Sequence, residues 1–347
     1  MRTGLPPFYC PIAPALHPRV EWIRHRALAW ADSIGLYRTP GDRARGVATH
    51  SAELACRVLP AGRDDLVWLF SAWNYWSFAL SDGRDDITKP RSAADIADFT
   101  VRIFRALDEP GYRRPDATPL ESALADLIDR TRDVATAVQF RRLAEGVRDW
   151  LLALTWQTTH TERGSVPTLD DFAAMRTATR GTRLFAAWIE IGSGVTLPGE
   201  QRWAASVRAL TTAAGFIVSC DNDIVGHVTG NRVPGQNIVD LLAARHDRPV
   251  REALTAAKAI RDSAMIRFLG LRNGLARNAG SDLHGYLRGL NHYLRGSLDW
   301  MDTAPRYTGA RDRPSPRSRL GLVITGIPPG KDTGPPDIPA VKWWWRL

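Results

Sequence analysis

Residues 213–226 read AAGFIVSCDNDIVG, an apolar run that carries Asp221, Asn222 and Asp223 in its second half. The apolar residues recur at the spacing of one helix face, which predicts a long helix here. Polar groups inside such a helix cost free energy unless they are hydrogen-bonded or ligate something. The alternative is a helix that ends at Gly226, with the Asn and Asp side chains making local caps. The residues alone leave both interpretations open.

The same helical spacing extends from this segment over most of the chain. Alternating strand patterns and Asn-Gly hairpin turns are essentially absent. We therefore predict an all-α fold, a single-domain helical bundle with a central cavity lined from facing helices. The predicted helices cover 19–35, 47–59, 63–82, 92–108, 118–130, 134–162, 168–192, 199–226, 236–242, 248–276 and 280–303.

The two ends of the chain differ in amino-acid composition from this helical part. Residues 1–18 are punctuated by proline and are expected to be extended, whereas 19–307 are expected to form one α-helical domain. Residues 308–347 are rich in Pro, Gly and Arg, which predicts a mobile tail. The KWWWR stretch at 342–346 could instead touch a membrane interface or fold back over the bundle.

The net charge of the chain indicates which classes of binding partner are compatible with it. A formal net charge of +9 is compatible with nucleic acid, an anionic membrane surface or a small polyanionic substrate. No Lys/Arg-dense run is interleaved with aromatic residues and no zinc-finger spacing exists, so we do not expect nucleic acid. The 13 tryptophans are expected mostly to pack in the core.

Cysteine spacing and hydropathy indicate the compartment. Cys10, Cys56 and Cys220 lie far apart, which argues against a disulfide framework or a zinc site and fits a reducing cytoplasm. The first residues lack the apolar region of a signal peptide, and no apolar run approaches the ~20 residues of a membrane span. We therefore expect a cytoplasmic protein with no membrane span.

An acidic cluster closes the predicted helix that contains WNYWSFALSDGRDD, residues 73–86. Asp82, Asp85 and Asp86 are spaced three and four residues apart and therefore share one face at the helix end. Their mutual repulsion would be offset by a divalent cation or by a nearby Arg, and Mg²⁺ prefers one or two carboxylates with water and phosphate oxygens. A solvated acidic helix end would look similar.

Two further segments carry cationic side chains. In and directly after GSVPTLDDFAAMRTATRG, residues 164–181, Arg176, Arg180 and Arg183 follow at helical spacing, and the helix is expected to break at Gly181. A break of this kind beside arginines suits an anion, although an exposed basic face would have the same pattern. Arg306 and Tyr307, at the end of the last predicted helix, could both donate to one phosphate group.

Taken in chain order, these segments resemble the bacterial class I terpene synthase family over residues 8–307. The opening FYCPIAPALHP and WADSIGL is similar to the family's proline-rich lead-in and first helix. The matching motifs are SDGRD (81–85) preceded by WSFAL (76–80), ERGSVPTLDDFAAMR (162–176), NDIVGHVTG (222–230) followed by NIVDLL (237–242), and Trp300 with the pair Arg306-Tyr307. Each motif is weak alone, and their shared order and spacing carry the resemblance.

The resemblance implies a terpene cyclase, a carbon–oxygen lyase that converts farnesyl or geranylgeranyl diphosphate to a cyclic terpene by Mg²⁺-assisted ionisation. The prenyl diphosphate is the expected partner, Mg²⁺ the expected cofactor, and a homodimer is left open. On this basis the site residues are the catalytic Asp82, Asp85 and Arg176, the substrate-binding Arg176, Arg180, Arg306, Tyr307, Phe78 and Trp300, and the metal ligands Asp82, Asp85, Asp86, Asn222 and Asp223.

The metal motifs depart from the family pattern. Ser81 stands where the first motif has its leading Asp. The second motif keeps Asn222, but Gly226 and Gly230 occupy the positions of a Ser or Thr and of a Glu. Either the neighbouring aspartates have taken over as ligands, or metal binding is weak, or the chemistry has changed.

Two other functions fit parts of the pattern. Asp82 and Asp86 have the spacing found in head-to-head prenyl synthases, and NRVP at 231–234 faintly resembles that family's second motif. The Arg306-Tyr307 ending favours cyclisation instead. The third hypothesis is a non-catalytic prenyl-lipid-binding protein on a cyclase scaffold that has lost its metals.

Overall fold

The computed structural model describes residues 4–84, 92–233, 235–308, 319–330 and 334–347. These residues form a bundle of helices with one pair of very short strands, which confirms the all-α prediction. The elements are β1 (Phe8–Tyr9), α1 (Val20–Ser33), α2 (Pro40–Ala48), α3 (Ser51–Val58), α4 (Asp64–Arg84), α5 (Ala93–Asp108), α6 (Pro119–Val134), α7 (Ala137–Glu162), α8 (Leu169–Thr179), α9 (Thr182–Ser193), α10 (Gly199–Trp203), α11 (Ala205–Thr229), α12 (Ile238–His246), α13 (Val250–Ala276), α14 (Ser281–Thr303), α15 (Pro305–Thr308), β2 (Ile324–Thr325) and α16 (Pro339–Lys342).

The structure divides one predicted helix where the apolar pattern alone does not show a boundary. The predicted 47–59 segment is the end of α2 followed by α3. The helix α2 begins earlier than predicted because Thr39 and Asp42 form a reciprocal cap, each accepting a 3.0 Å hydrogen bond from the other's backbone N–H. His50, with φ +50°, then separates α2 from α3.

The predicted 168–192 segment is likewise two helices, with the break at Gly181 that the sequence indicates. Gly181 has φ +66°, a left-handed conformation that favours glycine. Arg180 is the last residue of the preceding turn, so the break determines where its side chain leaves the backbone. The break therefore helps to position Arg180, a residue of the candidate active site.

The centre of the bundle is formed by α4, α9, α11 and α14. Trp73 and Trp76 on α4 are fully buried, as expected for core residues, and Trp188 of α9 lies edge-on to Trp73 at 6.4 Å. The polar atoms of the two α4 rings are satisfied: their indole nitrogens donate to Thr131 Oγ1 at 3.0 Å and to the Leu120 carbonyl at 2.9 Å. Aromatic rings of this size contribute much of the burial that stabilises such a core.

The two ends of the chain meet beside the bundle. The strand β1 pairs in parallel with β2, Phe8 opposite Ile324 and Tyr9 opposite Thr325. Cys10 extends the pairing, since its N–H donates to the Thr325 carbonyl at 2.9 Å. Residues 8–10 are therefore extended and are held against β2 beside the bundle.

The C-terminal segment 334–347 packs on α8, α11 and α13. This is the folded-back arrangement, one of the alternatives that the sequence leaves open for the KWWWR stretch. Trp344 is fully buried. Arg267 of α13 donates to the carbonyl oxygens of Trp344 at 2.7 Å and of Leu347 at 2.8 Å. Burial of the Trp344 ring in an apolar site offsets the conformational entropy that is lost when this Pro- and Gly-rich segment is ordered.

The three cysteines are buried and unpaired, in line with the absence of a disulfide framework. Burial raises the pKa of the Cys10 thiol above its ordinary value, so this thiol stays protonated at neutral pH. In the described part of the chain, no helix combines the length and apolarity needed to cross a membrane.

Candidate active site

Three consecutive polar residues in the C-terminal half of α11 each have their own set of tertiary partners. Asp221, Asn222 and Asp223 are 0%, 8% and 1% exposed. Successive residues of an α-helix point about 100° apart, so neighbours in sequence face different elements. The helix continues to Thr229, which excludes the alternative that it ends at Gly226 with local caps. Each side chain is satisfied by tertiary partners instead.

Asp221 faces α13 and belongs to a structural ion pair. Arg261 donates Nε to Asp221 Oδ1 at 2.6 Å and Nη2 to Oδ2 at 3.3 Å, and both side chains are fully buried. Arg261 also donates to the Tyr9 carbonyl oxygen and to Asp262. Burial raises the pKa of Asp221, and the Arg261 guanidinium opposes that shift. This cluster ties α11 to α13 and to the N-terminal strand.

Asp223 faces α8 and the start of α12. Its carboxylate accepts from Arg176 Nε at 3.3 Å, from Arg176 Nη2 and from the Ile238 backbone N–H at 3.1 Å. Its backbone carbonyl accepts from Asn237 Nδ2 at 2.8 Å. Both carboxylate oxygens thus have protein donors, and Arg176 is the main one. The assignment of Asp223 as a metal ligand stays a prediction.

Asn237, the first residue of the NIVDLL run, is a further polar residue of this site. It caps α12 by accepting from Val239 N–H at 2.9 Å while it donates to Asp223. The signal available in the sequence is an Asn directly before an aliphatic run. Thr179 is a second such residue, since its hydroxyl accepts from Arg176 Nη1 at 3.4 Å.

Asn222 is held from both sides by two predicted substrate-binding residues. Its Oδ1 accepts a hydrogen bond from Arg180 Nη2, and its Nδ2 donates to the Tyr307 hydroxyl oxygen at 2.6 Å. Arg180 also lies 3.9 Å from the Asp223 carboxylate. Burial, followed by the adjacent Arg176 charge, lowers the pKa of Arg180 to about 10, which leaves its guanidinium charged at neutral pH.

Arg306 connects α15 to the acidic end of α4. Its Nη2 lies 3.5 Å from Asp82 Oδ1, and its guanidinium stacks 4.6 Å from the centre of the Phe78 ring. Its Nε and Nη1 are buried without a hydrogen-bond acceptor among the described residues, as is Nε of Arg180. Buried donors of this kind are costly unless something accepts from them.

The two aromatic residues that the sequence predicts to bind substrate, Phe78 and Trp300, lie beside Arg306. Phe78 and Trp300 pack with ring centres 5.8 Å apart, and Trp300 meets Tyr307 edge-on at 5.4 Å. The Trp300 indole nitrogen is satisfied by the Thr49 carbonyl at 2.8 Å. The structure therefore brings together Phe78, Asp82, Arg176, Arg180, Asn222, Asp223, Trp300, Arg306 and Tyr307, through contacts that run from one to the next. Asp85 and Asp86 lie outside the described residues.

The two glycines of the second motif have a defined geometry. A Cβ on Gly226 would lie 2.7 Å from the Asn231 carbonyl oxygen, so the returning chain occupies the space of a side chain. Gly230 ends α11 with φ +75°, a conformation in which a Glu would be strained. Across the described ranges, no group of three or more His, Cys, Asp or Glu side chains is arranged to hold a metal ion.

Comparison with known proteins gives this arrangement its context. Residues 72–267 match the family model "Terpene synthase family 2, C-terminal metal binding". Spiroviolene synthase from Streptomyces violens is 31% identical over 98% of this chain and 96% of its own length. The (+)-T-muurolol synthase of Streptomyces clavuligerus, whose name states that it cyclises (2E,6E)-farnesyl diphosphate, is 27% identical over 98% of this chain and 82% of its own.

A solved structure agrees with both sequence comparisons. The crystal structure of a variant of SVS_A2, a protein from ancestral sequence reconstruction, superposes with a TM-score of 0.87 at 32% identity and 99% coverage of both chains. The family model describes a metal-binding domain, which implies use of a divalent metal ion. The predicted fold class and family are confirmed: this chain belongs to the bacterial class I terpene synthase family and is a terpene cyclase that acts on a prenyl diphosphate.

Proposed function

We propose that this chain cyclises farnesyl or geranylgeranyl diphosphate by ionising the diphosphate ester between α4, α8, α11 and α15. The observation that carries the proposal is the position of Arg306 and Tyr307. These adjacent residues reach two separate motifs, Arg306 at Asp82 of the first and Tyr307 at Asn222 of the second. One short helix thereby joins both sides of an anion site.

The leaving group is bound by arginines. Arg180 and Arg306 carry buried donors that lack an acceptor among the described residues, and a diphosphate supplies oxygen acceptors with matching charge. Arg176 contributes through its pairing with Asp223, which fixes the end of α8 next to Arg180. Charge-assisted hydrogen bonds to a departing anion stabilise it as the C–O bond breaks.

We propose that the divalent metal is Mg²⁺ and that Asp82 holds it with Asp85 and Asp86, the last two lying outside the described residues. Carboxylates with water and phosphate oxygens are the ligands Mg²⁺ prefers. When bound, the metal neutralises charge on the diphosphate and makes it a better leaving group. The position of Asp82 next to Arg306 supports this, because metal and guanidinium would then meet the same anion.

The aromatic residues protect and stabilise the cation that ionisation leaves. Phe78 and Trp300 form an apolar surface directly beside Arg306. An aromatic face stabilises a desolvated cation by about 2 kcal/mol. An apolar lining also keeps water away from the cation, so that ring closure precedes quenching.

The test is incubation of the purified protein with geranyl, farnesyl and geranylgeranyl diphosphate and Mg²⁺, followed by identification of the hydrocarbon products. We expect one substrate to give a cyclic product and Arg306→Ala to lower turnover by roughly 100-fold. Arg183→Ala is the matched control, because Arg183 is 52% exposed and pairs with Asp149 at 2.8 Å.

Joined tail-less chains from two diphosphates would identify a head-to-head synthase. Binding without any product would identify the non-catalytic prenyl-lipid binder, which Gly226 and Gly230 favour.

A further inference from the structure

The second metal motif of this chain presents an amide whose two polar atoms are both engaged. The Oδ1 of Asn222, the atom able to ligate a cation, accepts from the Arg180 guanidinium. Its Nδ2 donates to Tyr307 at 2.6 Å. An Asn amide offers one ligating oxygen, so a metal ion there would compete with a cation that is already present.

The other two motif positions supply no oxygen to compensate. Gly226 and Gly230 have no side chain, and the Asn231 carbonyl oxygen lies where a Cβ of residue 226 would be. The nearest carboxylate along the helix, Asp223, is engaged by Arg176 and the Ile238 N–H. The residues of this motif therefore do not fit a metal ion, although the family model describes a metal-binding domain.

Arg180 has the properties needed in place of a metal. It is covalently part of the chain, carries a permanent positive charge and is oriented by Asn222 on one side and Asp223, at 3.9 Å, on the other. Its Nε is buried with no hydrogen-bond acceptor in the described part of the molecule. A planar guanidinium can place two donors on neighbouring oxygens of one phosphate group.

We propose that Arg180 substitutes for the metal ion of the second motif. The diphosphate is bound on this side by Arg180 and Tyr307 without a metal, and divalent metal binds only at the Asp82 end of α4. This inference rests on the proposed function for the identity of the anion. It also predicts properties that can be measured without turnover.

The first experiment measures the affinity of the whole protein for inorganic pyrophosphate by calorimetry in EDTA-containing buffer. We expect saturable metal-free binding that Arg180→Ala weakens by at least about tenfold and Arg180→Lys restores in part. Arg183→Ala, which removes the same charge from the exposed surface nearby, should bind like the original chain. Equal pyrophosphate affinity in Arg180→Ala and Arg183→Ala would overturn the proposal.

The second experiment counts bound Mn²⁺ by electron paramagnetic resonance in the presence of pyrophosphate. Asn222→Ala should leave the number of bound ions unchanged, whereas Asp82→Asn should lower it. Asn222→Asp is a near-isosteric second variant in case the first misfolds, and here too the count should not change because the new carboxylate pairs with Arg180. A lower Mn²⁺ count in Asn222→Ala, or a higher one in Asn222→Asp, contradicts the proposal. Neither readout depends on product, so a failure here is distinct from a failure of the proposed function.

Discussion

Asn222 on α11 donates a 2.6 Å hydrogen bond to the hydroxyl oxygen of Tyr307 on α15, two residues separated by 85 positions in the chain. The contact is buried and joins α11 to the short helix that follows α14, the last long helix. It makes α15 part of the site, since Arg306 precedes Tyr307 and reaches Asp82. The proposed anion site therefore depends on where α14 ends and α15 follows it.

Tyr307→Phe removes one hydroxyl from this contact. We expect the free energy of unfolding to fall by about 1–3 kcal/mol, because the buried Asn222 Nδ2 loses its acceptor. Urea denaturation monitored by circular dichroism measures the change. Tyr112→Phe, on a partly exposed tyrosine after α5, is the control and should alter stability by less than Tyr307→Phe. Equal effects of the two variants would show that the Asn222 contact contributes nothing.

Gly226→Ser restores one residue of the family motif and should damage the fold rather than rebuild a metal site. The new Cβ would lie 2.7 Å from the Asn231 carbonyl oxygen, a backbone atom that must move. We expect a loss of about 1–3 kcal/mol of stability. Gly270→Ser in α13 is the matched control, because no atom lies within 4 Å of the position that its Cβ would take and the helix should tolerate it. A gain in stability for Gly226→Ser would contradict this account.

Asp221→Asn tests the assignment of Asp221 to structure rather than to the site. The substitution removes the negative charge that pairs with the fully buried Arg261. We expect the free energy of unfolding to fall by about 3–5 kcal/mol. Asp65→Asn breaks an exposed pair with Arg63 and should cost about 0–1 kcal/mol. Thermal or urea unfolding of both variants decides the matter. Equal, small effects would mean that the Asp221 pair does not stabilise the bundle.

Trp344→Ala tests whether the C-terminal segment belongs to the folded domain. Its fully buried ring packs edge-on to Phe216 of α11 at 5.7 Å, so its removal should cost about 3–5 kcal/mol. Trp203→Ala, at a position that is 55% exposed, should have a much smaller effect. Hydrogen exchange along α11 and α13 gives a second measurement, with faster exchange expected in Trp344→Ala only. Unchanged stability and exchange would return the segment to the mobile tail expected from composition.

Much of the fold was accessible from local pattern. The long helices α4, α7, α11, α13 and α14 follow apolar spacing that a single window of sequence contains. The division at His50 was missed because its left-handed backbone is unusual for a non-glycine residue. The sequence leaves the packing of Trp344 open between alternatives, because composition reports the cost of ordering a segment and not the site that offsets it.

The candidate site was accessible only in part. The order of the motifs along the chain predicts Arg176, Asn222, Arg306 and Tyr307 as site residues, and the arginine spacing beside Gly181 adds Arg180. The structure joins these residues through Asp223 and Asp82, which are also predicted, and their roles stay predictions. The role of Asp223 could not be read in the same way, because carboxylates that bind metal and carboxylates that bind arginine look alike in sequence. The role of Asn237 was not predicted for a similar reason, since capping residues are common.

By itself, the sequence determined the helical class, the family and the loss of side-chain ligands at Ser81, Gly226 and Gly230, because periodicity and residue identity are local properties. Only the tertiary structure decided what Asp221, Asn222 and Asp223 do. Three neighbours on one helix point about 100° apart, so each has its own set of tertiary partners. Asp221 pairs with Arg261 of α13, whereas Asn222 and Asp223 meet Arg180 and Arg176 at the end of α8. We propose that these two α8 arginines make the second motif part of an anion site.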